Sequence, residues 1–220
     1  MILFPKAPIY VLPVASFIGA LVISLLLSYL IARKEVQGSN LALIGLAIGA
    51  ICMAIVQYLL IRFPLEANLA LVWLTGSLFG RSMDHVISIL PWFIVTVPLI
   101  LFFAQRLDII HLGDQVATAL GTRVRSVKMV MLILAVMLAG SSIAVVGGLS
   151  FLGLIAPHIA RSIVGHKHIH IIMMSGLVGA ILIIVSDTLA RGIHPPLDIP
   201  VGVIIAIVGA PYFIYVLRKM

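Results

Sequence analysis

Seven apolar runs, most of them close to the ~20 residues needed to cross a bilayer core, leave this chain few folds to choose from. They lie at about Tyr10–Ala32, Leu41–Ile61, Val86–Ala104, Met129–Val146, Leu149–Ile163, Ile171–Leu189 and Ile199–Leu217. In hydrocarbon every backbone N–H and C=O must be satisfied internally, which favours helices for runs of this length. Composition agrees. Hydrophobic residues make up 63% of the chain and charged ones 10%, with a mean hydropathy of +1.29, against ~25% charged in soluble domains. The expected class is an all-α polytopic membrane protein, with residues 1–220 forming one transmembrane domain. The fifth run is short and carries Pro157, so it is the weakest candidate for an independent span. Nothing resembles a cleaved leader, because the first run is long and lacks a basic start.

The net charge of +7 would suit nucleic acid only if the basic residues clustered. They are scattered between apolar runs, which is how membrane topology is written. Suppose the polar loop 107–128 is cytoplasmic. The inner side then carries Arg33, Lys34, Arg106, Arg123, Arg125, Lys128, Arg161, Lys167, Arg218 and Lys219, and the outer side only Lys6, Arg62, Arg81 and Arg191. The opposite orientation reverses that ratio, so the N-terminus of this chain is expected outside and its C-terminus inside. Cys52 is the single cysteine, and no disulfide framework can form.

Leu107–Lys128 is the only long polar interval. Within it Leu112, Val116, Leu120 and Val124 recur every fourth residue, a spacing that puts them on one side of a helix. Asp114 suits a first helical turn and Gly121 a stop or kink, so a short helix is expected from Asp114 to Leu120. A helix of about 10 Å does not persist alone in water, so it must lean on something. Two readings fit: a loop lying on the headgroups, or a docking element for a soluble partner.

Other polar residues have plainer readings. Leu69–Leu78, with Trp73, is too short to span and is expected to be an interfacial or re-entrant helix on the outer face. Small residues at helix-contact spacing (Gly45 with Gly49, Ala50 with Ala54, Ser175 with Gly179, Gly202 with Ala206) let helices approach closely. No G-x-x-x-x-G-K-[ST] loop occurs, so this chain has no P-loop of its own. His166, Lys167, His168 and His170 share a short loop without an evident carboxylate or thiolate partner, and no metal site is expected there. His158 follows Pro157 near an expected inner helix end, where a helix-terminus role fits. Asp187 lies inside an apolar run, at a cost of ~2.5–3.5 kcal/mol if at mid-membrane. Arg191, four residues on, is placed to pair with it.

Three stretches resemble the permease subunits of the iron-siderophore, haem and vitamin B12 importers (FecCD-type permeases of the type II ABC class). They are the segment from Leu112-Gly113 to Leu120-Gly121, the run Gly147-Gly-Leu-Ser-Phe-Leu-Gly-Leu-Ile-Ala-Pro-His-Ile-Ala-Arg161, and Ser186–Arg191 continuing through Asp198–Gly202 to Gly209–Arg218. Their order and spacing match over essentially the whole chain. The resemblance implies a roughly ten-helix permease fold, of which this chain begins just before the fourth span. The early helices are then absent from these 220 residues, through a fragment, a misassigned start, or supply from elsewhere.

The resemblance further implies two permease subunits around a central path, in a homo- or heterodimer, with an ATPase subunit under each. ATP-Mg would be held by that partner, and no cofactor or catalytic residue by this chain. An extracytoplasmic binding protein would deliver a ferric-siderophore or similar chelate across a bacterial plasma membrane. Leu112, Gly113, Asp114, Val116, Ala117, Leu120, Gly121 and Arg123 would contact the ATPase, and Arg191 the binding protein. Gly38, Ser39 and Asn40, in the turn Val36–Asn40, would lie near an inner gate. Gly148, Gly153, Pro157, His158, Arg161, Asp187, Pro200, Gly202, Gly209 and Pro211 belong to the matching structural motifs. The alternatives are a self-contained secondary carrier or channel, disfavoured by the scarcity of intramembrane acids, and a truncated subunit that packs without transporting.

Overall fold

A computed structural model describes residues 14–16, 18–23, 25–26, 38–64, 67–193 and 199–219. Among them the chain is helical throughout, without a strand. The elements are α1 (Gly38–Arg62), α2 (Ala67–Thr75), α3 (Met83–His111), α4 (Asp114–Ala119), α5 (Val124–Val146), α6 (Leu152–Val164), α7 (His168–Ile193) and α8 (Val201–Lys219). Four helices are long and apolar enough to cross a membrane unaided: Leu43–Arg62 within α1, then α3, α5 and α7. Val14–Ile23, Leu152–Val164 and Val201–Val216 are shorter apolar helices. Apart from 25–26, the remainder of the run Tyr10–Ala32 lies outside the described residues, as do Glu66, Asp198 and the Pro195-Pro196 turn.

α3 is about 43 Å long at ~1.5 Å per residue, longer than the ~30 Å hydrocarbon core, so its end turns emerge among headgroups. It contains Pro91 and Pro98 and continues through both. α3 packs on α5 and α7, and α6 packs on α7 and α8. The contact surfaces are small-residue surfaces: Ala104, Ala144, Ala156, Ala160 and Ala190 are all buried. Without a hydrophobic driving force between helices in lipid, close approach through such residues supplies the packing energy.

The expected small-residue pairs divide on inspection. A methyl at Gly179 would sit 3.8 Å from Ala156 Cβ, an ordinary α7–α6 contact, while Gly45 and Gly49 face nothing within 4 Å among the described residues. Gly202 proves to oppose a carbonyl rather than a neighbouring helix surface.

That carbonyl belongs to a junction of three chain segments. After α2 the backbone turns through Gly76 (φ 74°), and after α5 through Gly147 (φ 86°). Ser77 N–H donates to Val146 O at 2.8 Å, Gly148 N–H to Trp73 O at 3.1 Å, and Gly202 N–H to Gly76 O at 3.1 Å. Cβ atoms added at Gly147 and Gly202 would overlap the carbonyl oxygens of Trp73 and Thr75. Non-helical backbone at membrane depth must be satisfied by protein, and here each segment supplies the partner that another lacks. Gly147 and Gly148 belong to the junction, and Phe151, with left-handed backbone (φ 63°), turns the chain into α6, which is 13 residues long.

His158 does not lie at a helix end. Pro157 is accommodated inside α6, so the helix continues past it. His158 sits mid-helix with its ring edge-on to Tyr212 of α8, centroids 6.2 Å apart. The helix-terminus role expected for it is withdrawn.

Candidate functional site

α4 is six residues long, and two glycines and one alanine explain how so short a helix is held. Gly113 enters it at φ 110° and Gly121 leaves it at φ 79°. At the exit, Thr122 N–H donates to Ala117 O and Gly121 N–H to Thr118 O, both at 2.9 Å. This is the paired 6→1 and 5→2 pattern of a glycine-terminated helix. Ala117 has no exposed surface, so this side of α4 is pressed against the bundle. Lys128, in the first turns of α5, donates to both Asp114 oxygens at 2.8 and 2.7 Å. Both side chains are more than half exposed, which puts the pair's contribution in the ~0.2–1 kcal/mol range of surface ion pairs.

Pinning one side leaves the other bare. Leu112 is 64% exposed, Val116 47% and Leu120 64%, at the four-residue spacing noted in the sequence. Exposed leucines on lipid-facing helices need no explanation, but these lie on a connection between two spans. Arg123, the residue before α5, is exposed beside them.

A second cluster at this end was not legible in the sequence. Asp108, near the end of α3, accepts the His168 backbone N–H at 2.9 Å, and its Oδ1 lies 2.6 Å from His168 Nδ1. His168 begins α7, so a carboxylate from α3 caps the start of α7 and ties the two helices together. The His111 ring stands 5.9 Å away, edge-on. The expectation that this histidine stretch lacks a fixed carboxylate partner is therefore corrected. Among the described residues no group of three His, Cys, Asp or Glu side chains could hold a metal ion.

At the far end of α7, Arg191 Nε and Asp187 Oδ2 are 2.8 Å apart, the pairing expected from their spacing. Asp187 is the more buried partner, at 23% side-chain exposure against 52%. Arg81, just before α3, lies over the Trp73 ring with its Cζ 4.3 Å from the centroid, a cation–π contact between the α2–α3 connection and α2. Burial lowers the Arg81 guanidinium pKa. Trp73 is thus half-buried beneath Arg81.

Gly38, Ser39 and Asn40 form the first turn of α1, and their side chains, with Val36 and Gln37, lie outside the described residues. Of the motif positions, Gly148 and Gly202 belong to the glycine junction, and Pro200 O accepts from Val203 N–H at 3.0 Å where α8 begins. Gly209 abuts Ile155 and Phe151 of the α6 segment, and Pro211 lies inside α8. Among the described residues Gly153 faces nothing within 4 Å. Arg161 is in the last turn of α6.

Among the described residues, four helices long and apolar enough to cross a membrane, a backbone junction at one end and a pinned apolar helix at the other make this a multi-pass membrane protein. The chain belongs to the FecCD transport family, whose sequence profile matches residues 1–219. It is 44% identical over 218 residues to the Fe(3+)-citrate import system permease protein YfmE of Bacillus subtilis, covering 99% of this chain and 66% of that one. It is 43% identical to the Fe(3+) dicitrate transport system permease protein FecD of Escherichia coli, covering 100% and 69%. It is 39% identical to the Iron(3+)-hydroxamate import system permease protein FhuG of B. subtilis, covering 96% and 63%. The chain thus spans about two thirds of the length of these relatives. A solved metal-chelate type ABC transporter in an inward-facing conformation shares its fold, with a TM-score of 0.80 over 96% of this chain and 73% of that one, at 24% identity.

Proposed function

We propose that this chain is the membrane-spanning part of an ATP-driven importer for a ferric chelate, with ferric citrate the first candidate among substrates. The observation that carries the reading is the apolar row Leu112, Val116 and Leu120, left exposed on a helix that Ala117 and two glycines hold rigidly against the bundle. A headgroup-lying loop would need no such anchoring, whereas a rigid knob suits a groove in a soluble ATPase. The names of the relatives supply the substrate class. In this reading the chain contributes geometry: closure of two ATPase subunits, each holding its own ATP-Mg, tilts the bundle through α4 as a rigid body. Leu112, Val116 and Leu120 present that contact and Arg123 flanks it; Gly113, Gly121 and the fully buried Ala117, expected at the contact, instead hold α4 in place, with Asp114 anchored on Lys128, while Gly38, Ser39 and Asn40 border the inner gate. A second permease subunit completes the path, and a binding protein docks on the opposite face.

The uptake test uses the chain reconstituted with its ATPase and binding protein, and radioiron presented as ferric citrate. ATP-dependent uptake is expected. Uptake driven by a proton gradient without ATP would replace this reading with a secondary carrier. The basic bias supports an α4 on the cytoplasmic side of the membrane, which in this reading is a bacterial plasma membrane. A cysteine at Thr122, in a Cys52→Ser background, should accordingly be shielded from an impermeant thiol reagent added outside intact cells. Labelling there would reverse the topology.

Arg191 is the proposed contact for the binding protein. Half of the Arg191 side chain is exposed at the far end of α7, where a carboxylate of a docked binding protein could reach it beside Asp187. Arg191→Ala is expected to keep near-normal folded yield while binding-protein affinity and its salt dependence both fall. Asp187→Asn should leave both properties nearly unchanged. Unaltered affinity and salt slope in Arg191→Ala would remove the docking role.

A further inference from the structure

Beside α4, at the same end of the bundle, α3, the α4–α5 connection and α5 line a half-open cavity of about 590 Å³. That is within the ~300–1,000 Å³ of small-molecule sites. Phe103 and Val130, the lining residues nearest the middle of α3 and α5, give it an apolar floor. Arg106, Arg123, Thr122 and Ser126 line it toward the helix ends. The Arg106 guanidinium lies over the Phe103 ring, 5.0 Å from its centroid. Among the described residues, the acids on the neighbouring turns are engaged elsewhere: Asp114 with Lys128 and Asp108 with His168. Among the described residues no carboxylate pairs with Arg106 or Arg123.

Depth decides what such a cavity suits. α3 is longer than the hydrocarbon core, and Arg106 is five residues from its end. Arg123 immediately precedes α5. The two guanidiniums and two hydroxyls therefore lie at headgroup level, with Phe103 and Val130 at the level of the first acyl carbons. Basic pockets between transmembrane helices at this depth recognise anionic headgroups.

We propose that this cavity is a binding site for an anionic phospholipid, its phosphate held between Arg106 and Arg123 and its upper acyl carbons seated on Phe103 and Val130. Free inorganic phosphate shares the headgroup chemistry. It has no use for the apolar floor, which is why a lipid is the occupant.

The test is native mass spectrometry of the purified chain offered phosphatidylglycerol and phosphatidylcholine with identical acyl chains. Each arginine at the membrane surface is worth a factor of roughly five, so the wild type should retain phosphatidylglycerol over phosphatidylcholine by at least about tenfold. Arg106→Gln/Arg123→Gln should bring the ratio near one, Arg106→Gln alone should lower it severalfold, and Arg106→Lys/Arg123→Lys should keep most of it. Gel-filtration profiles verify that each variant is folded, and the single substitution decides if the double one is not. Equal retention of the two lipids by the wild type would overturn the proposal, as would a preference unchanged in the Gln variants. Displacement of bound lipid by inorganic phosphate would make this a free-phosphate site and overturn it equally.

Discussion

Gly202→Ala is expected to abolish recovery of folded protein, while Gly153→Ala, in another of the three family stretches, leaves it intact. The added methyl at 202 would overlap the Thr75 carbonyl oxygen, with Thr75 C 2.9 Å away. Neither atom belongs to a side chain that could rotate aside. The backbone must move instead, and the Gly202 N–H to Gly76 O bond of 3.1 Å goes with it. Overpacking costs ~1–3 kcal/mol, and leaving a buried backbone group unsatisfied costs a further ~1–3 kcal/mol. The sum is a large fraction of the ~5–15 kcal/mol that holds a typical domain together. Gly147→Ala should behave the same way, with the added strain of a side chain at φ 86°. At Gly153 a methyl meets nothing within 4 Å, and alanine is the better helix former by ~0.8–1.0 kcal/mol. Thermal unfolding in detergent, followed by gel filtration with fluorescence detection, checks both. A Gly202→Ala protein melting within a few degrees of wild type would show that the three segments do not depend on close backbone contact.

This junction marks where the sequence stops being informative. The membrane class follows from apolar run length alone, and α4 follows from the four-residue spacing of Leu112, Val116 and Leu120 with Gly121 behind them. The Asp187–Arg191 pair follows from one helical turn. All of these are relations within a few residues of one another, where the period of a helix does the placing. Asp108 and His168 are 60 positions apart and Asp114 and Lys128 are 14 apart. Neither pairing has a period to announce it; α3 must first be docked on α7, and α4 against α5. The glycines misled for a related reason. Gly202 with Ala206 has the spacing of a helix-packing pair, yet Gly202 meets the backbone of the α2 exit, which only the assembled bundle brings there. Pro157 likewise suggested a helix end near His158, but a proline inside a helix held by two neighbours costs less than breaking it.

Leu120→Asp is expected to abolish ATP-driven uptake without loss of folded protein. Leu120 is 64% exposed at the end of α4, and its backbone N–H donates to Val116 O at 3.0 Å. An aspartate there keeps that bond and removes no buried contact within this chain, so yield and melting temperature should stay at wild-type values. Seated in an apolar groove of an ATPase, the same carboxylate would be desolvated without a counter-ion. Each 1.4 kcal/mol lost is tenfold in affinity, and an unpaired desolvated charge costs at least about that much, so co-purification should fall at least about tenfold. Gly121→Pro reaches the same result by another route. Proline cannot adopt φ 79°, and it lacks the N–H that donates to Thr118 O, so α4 loses its exit and its orientation. The two variants separate surface from scaffold: Leu120→Asp spoils what the helix presents, and Gly121→Pro spoils how it is held. The measurement is ATPase retained on the affinity-purified chain, alongside uptake of ferric citrate. Wild-type retention and uptake in Leu120→Asp would mean that the exposed row faces something other than the ATPase, and the loop would revert to one that lies on the headgroups.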